Sequence, residues 1–473
     1  MWDEGFHILA ARLIAAGKRP YLDFFFAQTP LNAYWNAAWI SIFGANWRVI
    51  HAVAALATIG SVILLVQYLY TLFSDRQWRL SAAFAGLGLF GFHAWVWKVG
   101  TVSQAYPLCL LLLVAGFRTG IVAVARQRFT MSALAGLLTG AAAASSLLAA
   151  PAAPVLLIWM WVNHRAGNRS IKIAAFLAGG IAACVPFLVL FVRGPHQVVF
   201  EVLKYHSLYR LIGWAGATGH DIGIVTDWVN SSPDLLLVLL AAAGLLFLQN
   251  SGFDAARRAE VRLCLWLALA MGAQNLFAHP TFPMYFVFMI PFLTVPAVLG
   301  FHALVTRLGN PDRARPAVVA LVGITVFCLA NSIYDYNDYY TWPELEEVAA
   351  KVKQVTPKGA PLFAPEHIYF LANWPVPSGM EYDDSHKIDL GAAENAALHV
   401  VPRAEVDRRI EAGAFSTVVI CENDTRVDTI KSWKVYSQAS DVQDCTIFSQ
   451  PEKSQAEKNE VDKNSARLVA LEP

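Results

Sequence analysis

The chain has 473 residues, 56% hydrophobic and 15% charged, with a mean hydropathy of +0.44. Soluble domains carry about 25% charge, so the composition excludes an ordinary soluble enzyme and points to an integral membrane protein. The formal net charge of +1 gives no overall field that would favour nucleic acid.

The chain opens on Trp2-Asp3-Glu4-Gly5-Phe6-His7. Carboxylates held at a bilayer face are costly unless they have a role, so Asp3 and Glu4 are the first candidates for chemistry. Residues 3–16 place Phe6, Leu9, Leu13 and Ile14 near helical spacing. Pro30 opens a second helix from Leu31 to Phe43, and Gly44 ends it. Tyr34, Trp35 and Trp39 suit the headgroup level. Both helices read as interfacial, in an outer-face segment covering residues 1–46.

Apolar runs follow near 47–73, 80–97, 103–125, 130–147, 149–163, 171–192, 233–250, 260–278, 284–306 and 317–335. At roughly 20 residues per crossing, these predict about ten spans in a helical domain covering 47–338. The pair 130–163 is short and Ala-rich, with Pro151 and Pro154 at its bend. Every second loop is basic: Arg76 and Arg79, Arg126 and Arg128, His164 to Lys172, Arg257 to Arg262, and Arg307 to Arg315. The positive-inside rule therefore places residues 1–46, the loop 193–232 and everything after about residue 336 outside. An outer N-terminal segment with no span before it implies that a first spanning helix is missing, for about eleven spans in the native protein.

The outer loop carries Lys204, His206, Tyr209 and Arg210 on one amphipathic stretch, followed by Gly213, Gly216, Gly219 and Gly223. Such a helix binds lipid or gates a lipid substrate. His279 and Tyr285 lie in a short outer turn. Residues 339–450 change character. Pro343–Val355 and Arg403–Ala412 read as helices, Pro361–Ala364 and Thr417–Cys421 as short buried strands. These make a small α/β domain on the outer face, where the compartment permits a Cys421–Cys445 disulfide. The polar tail, 451–473, reads as disordered.

The fold class expected is therefore an α-helical polytopic membrane protein with a small C-terminal α/β domain. Its candidate chemistry gathers at the outer rim. Asp3, Glu4 and Asp23 are the acids, one of them a general base toward an acceptor hydroxyl. Arg48 at the start of the first span and Lys98 at the end of the second are cations for a phosphate leaving group. Each has a plain reading too: a helix-start acid, a turn residue, a snorkelling cation. Asp3, Glu4, His7 and His279 are candidate ligands for a divalent metal, with no spacing that defines a site.

The order Asp3-Glu4-Gly5, Gly17-Lys18-Arg19-Pro20-Tyr21-Leu22-Asp23-Phe24, Thr29-Pro30-Leu31-Asn32-Ala33-Tyr34-Trp35, Ile42-Phe43-Gly44 and Arg48 resembles the first outer loop of GT-C type membrane glycosyltransferases. The resemblance is to the protein O-mannosyltransferase and lipid A aminoarabinose transferase group, and Pro283 to Pro296 is similar to its late-span pattern. It implies a polyprenyl-phosphate-linked sugar as donor, a lipid, glycan or protein acceptor, and transfer with inversion on the periplasmic face of a bacterial inner membrane. It implies Asp3 as base, Glu4 as its neighbour and Asp23 as a secondary acid. Arg48, Lys98, Lys204, Arg210 and Tyr285 are the candidates to bind the donor phosphate. A transporter or flippase of lipid-linked sugars is the main alternative; it would place charges near the bilayer midplane, where these spans are nearly free of acids. A polysaccharide polymerase or ligase would share the donor without the Asp3-Glu4 loop.

Overall fold

The computed structural model describes residues 4–211, 217–278, 281–308, 314–335, 341–421, 426–431 and 435–451, at a few of them the backbone alone. The chain divides into two units, Met1–Tyr339 and Tyr340–Pro473.

The first unit is helical. Helices α1 (Glu4–Ala15) and α2 (Leu31–Phe43) precede α3 (Trp47–Leu72). Gly44, at φ 78, closes α2 with its amide on the Ile40 carbonyl. This is a left-handed stop that glycine adopts without strain. Asn46 caps α3 by accepting the Arg48 amide at 2.9 Å. The first helix is not a surface element. From Glu4 to Leu13 every residue except Arg12 is buried, because Phe26 packs beside Phe6 and His7 and α2 packs against the helix.

The remaining helices are α4 (Arg76–Gly86), α5 (Ala94–Gly100), α6 (Tyr106–Arg126), α7 (Phe129–Ser145), α8 (Ala152–Asn163), α9 (Arg169–Arg193), α10 (Pro195–Val199), α11 (Tyr205–Leu211), α12 (Ala217–Asn230), α13 (Ser232–Phe247), α14 (Ala255–Phe277), α15 (Ile290–Leu308) and α16 (Ala314–Tyr334). The ten expected apolar runs fall largely on helices, the run 80–97 being broken at Phe92 and His93. Six helical stretches among the described residues are long and apolar enough to cross a membrane: Trp47–Leu72, Tyr106–Arg126, Ala166–Arg193, Ser232–Asn250, Ile290–Arg307 and Ala314–Tyr334. A seventh is the pair Trp78–Gly91 and Ala94–Gly100, bent by 60°. The Ala-rich α7 and the stretch Leu147–Asn163 are shorter. Helix α14 carries Arg257, Arg258, Glu260 and Arg262 in its first turns.

Small residues set the closest helix contacts. A methyl group on Gly136 of α7 would sit 1.8 Å from the Phe176 carbonyl of α9, and one on Gly179 would sit 2.0 Å from the Ala133 carbonyl. Gly244 of α13 and Gly300 of α15 are equally tight, each 1.9 Å from a carbonyl of the other helix. Lipid supplies no hydrophobic drive for helix association, so close backbone packing takes its place.

The second unit is a small mixed sheet with helices. Strands β1 (Leu362–Phe363), β2 (Thr417–Cys421), β3 (Gln438–Val442) and β4 (Cys445–Ser449) lie in the order β1-β2-β4-β3, with β1 parallel to β2 and the other pairs antiparallel. Cys421 and Cys445 are register partners and form a disulfide. Helix α17 (Trp342–Val355) begins with a Thr341/Glu344 capping box. Helices α18 (Glu366–Ala372), α19 (Ala392–Ala397), α20 (Arg403–Glu411) and α21 (Arg426–Lys431) follow. Phe363, Val406, Ile410, Phe415, Val418 and Phe448 form much of the core.

Candidate active site

Glu4 begins α1 and is 1% exposed. Its Oε1 accepts the Ser103 amide at 2.7 Å and lies 2.6 Å from His51 Nε2 of α3. Asn32 and Asn36 of α2 both donate to the Ser103 carbonyl, at 2.9 and 2.8 Å. One carboxylate thus ties α1, α3 and the turn after α5 together, and two amides add α2. A buried carboxylate satisfied by an amide and an imidazole is stable where it stands. Asp3, the residue before it, lies outside the described residues.

His7 follows one turn later. Burial pushes its imidazole down to about 4 against the opposing charge of Glu4, so it is neutral at pH 7. It stacks on Phe6 at 4.2 Å. Among the described residues no group of three or more His, Cys, Asp or Glu is arranged to hold a metal ion, and His279 lies outside them.

Asp23 is held by Arg19. The Arg19 amide and guanidinium donate to its two oxygens at 2.7 to 2.9 Å. The turn that carries it also needs Tyr21 at φ 67, with the Tyr21 hydroxyl on the Gln28 carbonyl at 2.6 Å. The expected amphipathic stretch near Lys204 is helix α10, a π-helical turn Phe200–Lys204 and then α11. Lys204 is exposed. The His206 ring lies 2.8 Å from the Ala27 carbonyl, and the side chains of Tyr209 and Arg210 lie outside the described residues.

Three acids absent from the sequence reading stand out. Glu201, in the π-helical turn, is fully buried, and its Oε2 accepts the Phe26 amide at 2.6 Å. Burial first, then the Glu201 charge and Tyr34, push the Tyr21 phenol well above its usual range. Asp221 of α12 accepts the Thr281 amide at 2.7 Å and lies 3.3 Å from His220. This pins the turn that carries Tyr285, where Phe282 meets the Tyr285 ring edge-on at 5.6 Å. Asp234 of α13 is buried 3.1 Å from His93 Nε2, a close electrostatic contact rather than an aligned hydrogen bond. His93 sits at the 60° break, and its Nδ1 accepts the Trp95 amide at 3.3 Å, capping α5.

Helix α5 carries Lys98. Its ammonium is 5.2 Å from the Trp95 ring, a contact that holds a cation without neutralising it. Arg48 is exposed, its guanidinium 4.4 Å over Trp47; Trp47 in turn meets the ring of His51, the partner of Glu4. Arg48 is therefore on the same turn of α3 as the Glu4 anchor. The structure links Glu4, Arg48 and the turn following Lys98 through His51 and Ser103. Asp23 is linked to Glu201 through the segment Tyr21–Phe26. Tyr285 belongs to a third group with Asp221.

No family model matches the chain, and no curated protein matches it. Solved structures do. The crystal structure of ArnT from Cupriavidus metallidurans bound to undecaprenyl phosphate matches with a TM-score of 0.66 at 14% identity, over 95% of this chain and 94% of that one. The apo form of the same protein matches with a TM-score of 0.63 at 16% identity, over 94% and 92%. The chain thus has the fold of ArnT, a GT-C fold, and six helical stretches among its described residues, long and apolar enough to cross a membrane, mark it as an integral membrane protein.

Proposed function

We propose that the chain is a membrane glycosyltransferase that moves a sugar from a polyprenyl-phosphate-linked donor to an acceptor hydroxyl, with inversion, on the periplasmic face of a bacterial inner membrane. The observation that carries this reading is the likeness, over nearly the whole chain, to a protein crystallised with undecaprenyl phosphate. A lipid phosphate is already a good leaving group, so the site needs a base on the acceptor and cations on the departing phosphate. Base and clamp must flank the sugar on opposite faces for a single displacement.

Asp3 is the proposed base. Glu4, its neighbour in the acidic motif, holds the start of α1 through its carboxylate on Ser103 and His51. Asp23, neutralised by Arg19, is the proposed secondary acid beside the acceptor. Lys98 and Arg48, each resting on a tryptophan, are the proposed phosphate clamp, with Lys204, Arg210 and Tyr285 as further contacts from the outer loop and the late turn. A flippase draws some support from the 60° helix break with its buried His93–Asp234 pair, since transporters bind at broken helices.

Titration of the purified protein with undecaprenyl phosphate tests the clamp. Lys98→Gln should weaken binding roughly tenfold, the worth of one charge-assisted contact of about 1.5 kcal/mol. Unchanged binding in Lys98→Gln and Arg48→Gln would remove both from the site.

A further inference from the structure

A second polar centre lies in the loops that the charge pattern places opposite the proposed active site. Gln127 ends α6 in the left-handed conformation, φ 52. Its Oε1 accepts from three directions: the Lys172 ammonium, the Arg165 amide at 3.3 Å and, at 3.4 Å, the His164 ring. The Arg169 guanidinium donates twice to the His164 carbonyl, at 3.3 and 3.1 Å. Arg126 and Arg128 flank Gln127 and are exposed, as is Arg165.

Lys172 is 4% exposed. A buried ammonium is costly unless it is paired. Among the described residues no carboxylate pairs with Lys172, Arg165 or Arg169. The sequence shows why: no Asp or Glu occurs anywhere from Arg76 to Phe200. Neither loop, nor any of the helices α6 to α9 that carry them, can supply an anion. The N-terminus of α9, where Arg169 and Lys172 sit, also has no side-chain cap, and an uncapped helix start favours an anion. His164 does not relieve the deficit. Burial, then Lys172 and Arg169, push it down to about 4, so it stays neutral. The basic start of α14 differs, because Asp254 and Glu260 lie within it.

We infer that the α6–α7 and α8–α9 turns form a site for the phosphate of an anionic phospholipid headgroup, held by Lys172, Arg165, Arg169 and Arg128. The position at two adjacent helix ends makes a lipid of the facing leaflet the occupant, since basic pockets between spans take anionic headgroups. The inference rests on the orientation proposed above but is independent of the transferase reading, and its test reads no transfer.

The full chain in mixed micelles would be titrated with dioleoyl phosphatidylglycerol or dioleoyl phosphatidylcholine, and bound lipid counted by native mass spectrometry. Phosphatidylglycerol should be retained selectively. The double variant R128Q/R165Q, with two exposed side chains, should weaken its retention about 25-fold, at about fivefold for each charge near the surface. The control R258Q should change it less than about twofold, because the acids of α14 already balance that turn. Equal retention of the two lipids would overturn the inference. So would equal losses in R128Q/R165Q and R258Q, the mark of a diffuse positive belt. Inorganic phosphate binding at these residues without preference between the lipids would also overturn it, in favour of a soluble anion.

Discussion

Four buried carboxylates of the membrane unit and two partly exposed ones of the C-terminal unit do different work. In the membrane unit, Glu4, Glu201, Asp221 and Asp234 are buried, and each reaches a segment far away in the chain: Ser103, Phe26, Thr281 and His93. In the C-terminal unit, Glu405 pairs with Arg408 and Arg409 on its own helix, and Asp384 pairs with Lys387 one turn away. A buried backbone amide has no water to bond, so a buried carboxylate that accepts it from a remote segment is a strong fastener. At a wet surface the same group adds little, since exposed pairs are screened. Buried acids in this chain therefore mark where segments remote in sequence are fastened to one another.

The contrast can be broken from its strongest side. Glu4→Ala should leave the buried Ser103 amide and His51 without their partner, at a cost of about 2 to 4 kcal/mol for two lost contacts to a charged group. Melting of the detergent-solubilised protein would show it as a large loss of midpoint. Glu201→Ala should fall in the same class, through the Phe26 amide. A fall no larger than that of a surface substitution would mean these acids are not fasteners.

Glu366 sharpens the contrast, because in the C-terminal unit it too accepts a backbone amide from a separate segment. It accepts the Asp383 amide at 2.8 Å. Burial first, and the charges of Asp383 and Asp384, push it up to about 7 against that hydrogen bond. A carboxyl raised in the folded state binds its proton more tightly there than unfolded. It therefore supports folding below its unfolded value near 4.5 and loses that support as pH rises toward 7. Glu366→Gln should then stabilise the unit at pH 8 by about 1 to 2 kcal/mol and do nothing at pH 4. Slower hydrogen exchange of the α18 amides at pH 8, in the full chain, is the readout. No change at pH 8 would return Glu366 to the surface class.

The smallest effect belongs to Glu405. Its two arginines hold it at about 2, yet the group is on the surface. Glu405→Ala should leave the melting midpoint within error, while a fall comparable to that of Glu4→Ala would erase the distinction.

Local chemistry made the fasteners' scaffold legible but not the fasteners. The second helix was readable because Pro30 and Gly44 punctuate it, and α17 because its acids and lysines sit at opposite ends. Glu201 was hidden within Val-Val-Phe-Glu-Val-Leu, where nothing local separates a buried acid from a helix-face acid. Its partner, Phe26, is remote in the chain. His93 and Asp234 were hidden for the same reason. The β3–β4 hairpin escaped because its turn is Gln443-Asp444, with Gln443 at φ 51, in place of the Asn-Gly that advertises such turns. Strand β3 is also largely exposed and polar. The burial of α1 was unreadable from its spacing, since Phe26 and α2, which cover it, come later in the chain.

The most direct test of the central claim is turnover in membranes. The protein would be given a panel of polyprenyl-phosphate sugars and a cell-envelope extract as acceptor, and released polyprenyl phosphate measured for the wild type and Asp3→Asn. The account predicts release from one donor, lowered by at least about a hundredfold in Asp3→Asn, the usual worth of a general base. Donor moved across the bilayer without any release, in correctly inserted protein, would contradict it and favour the flippase.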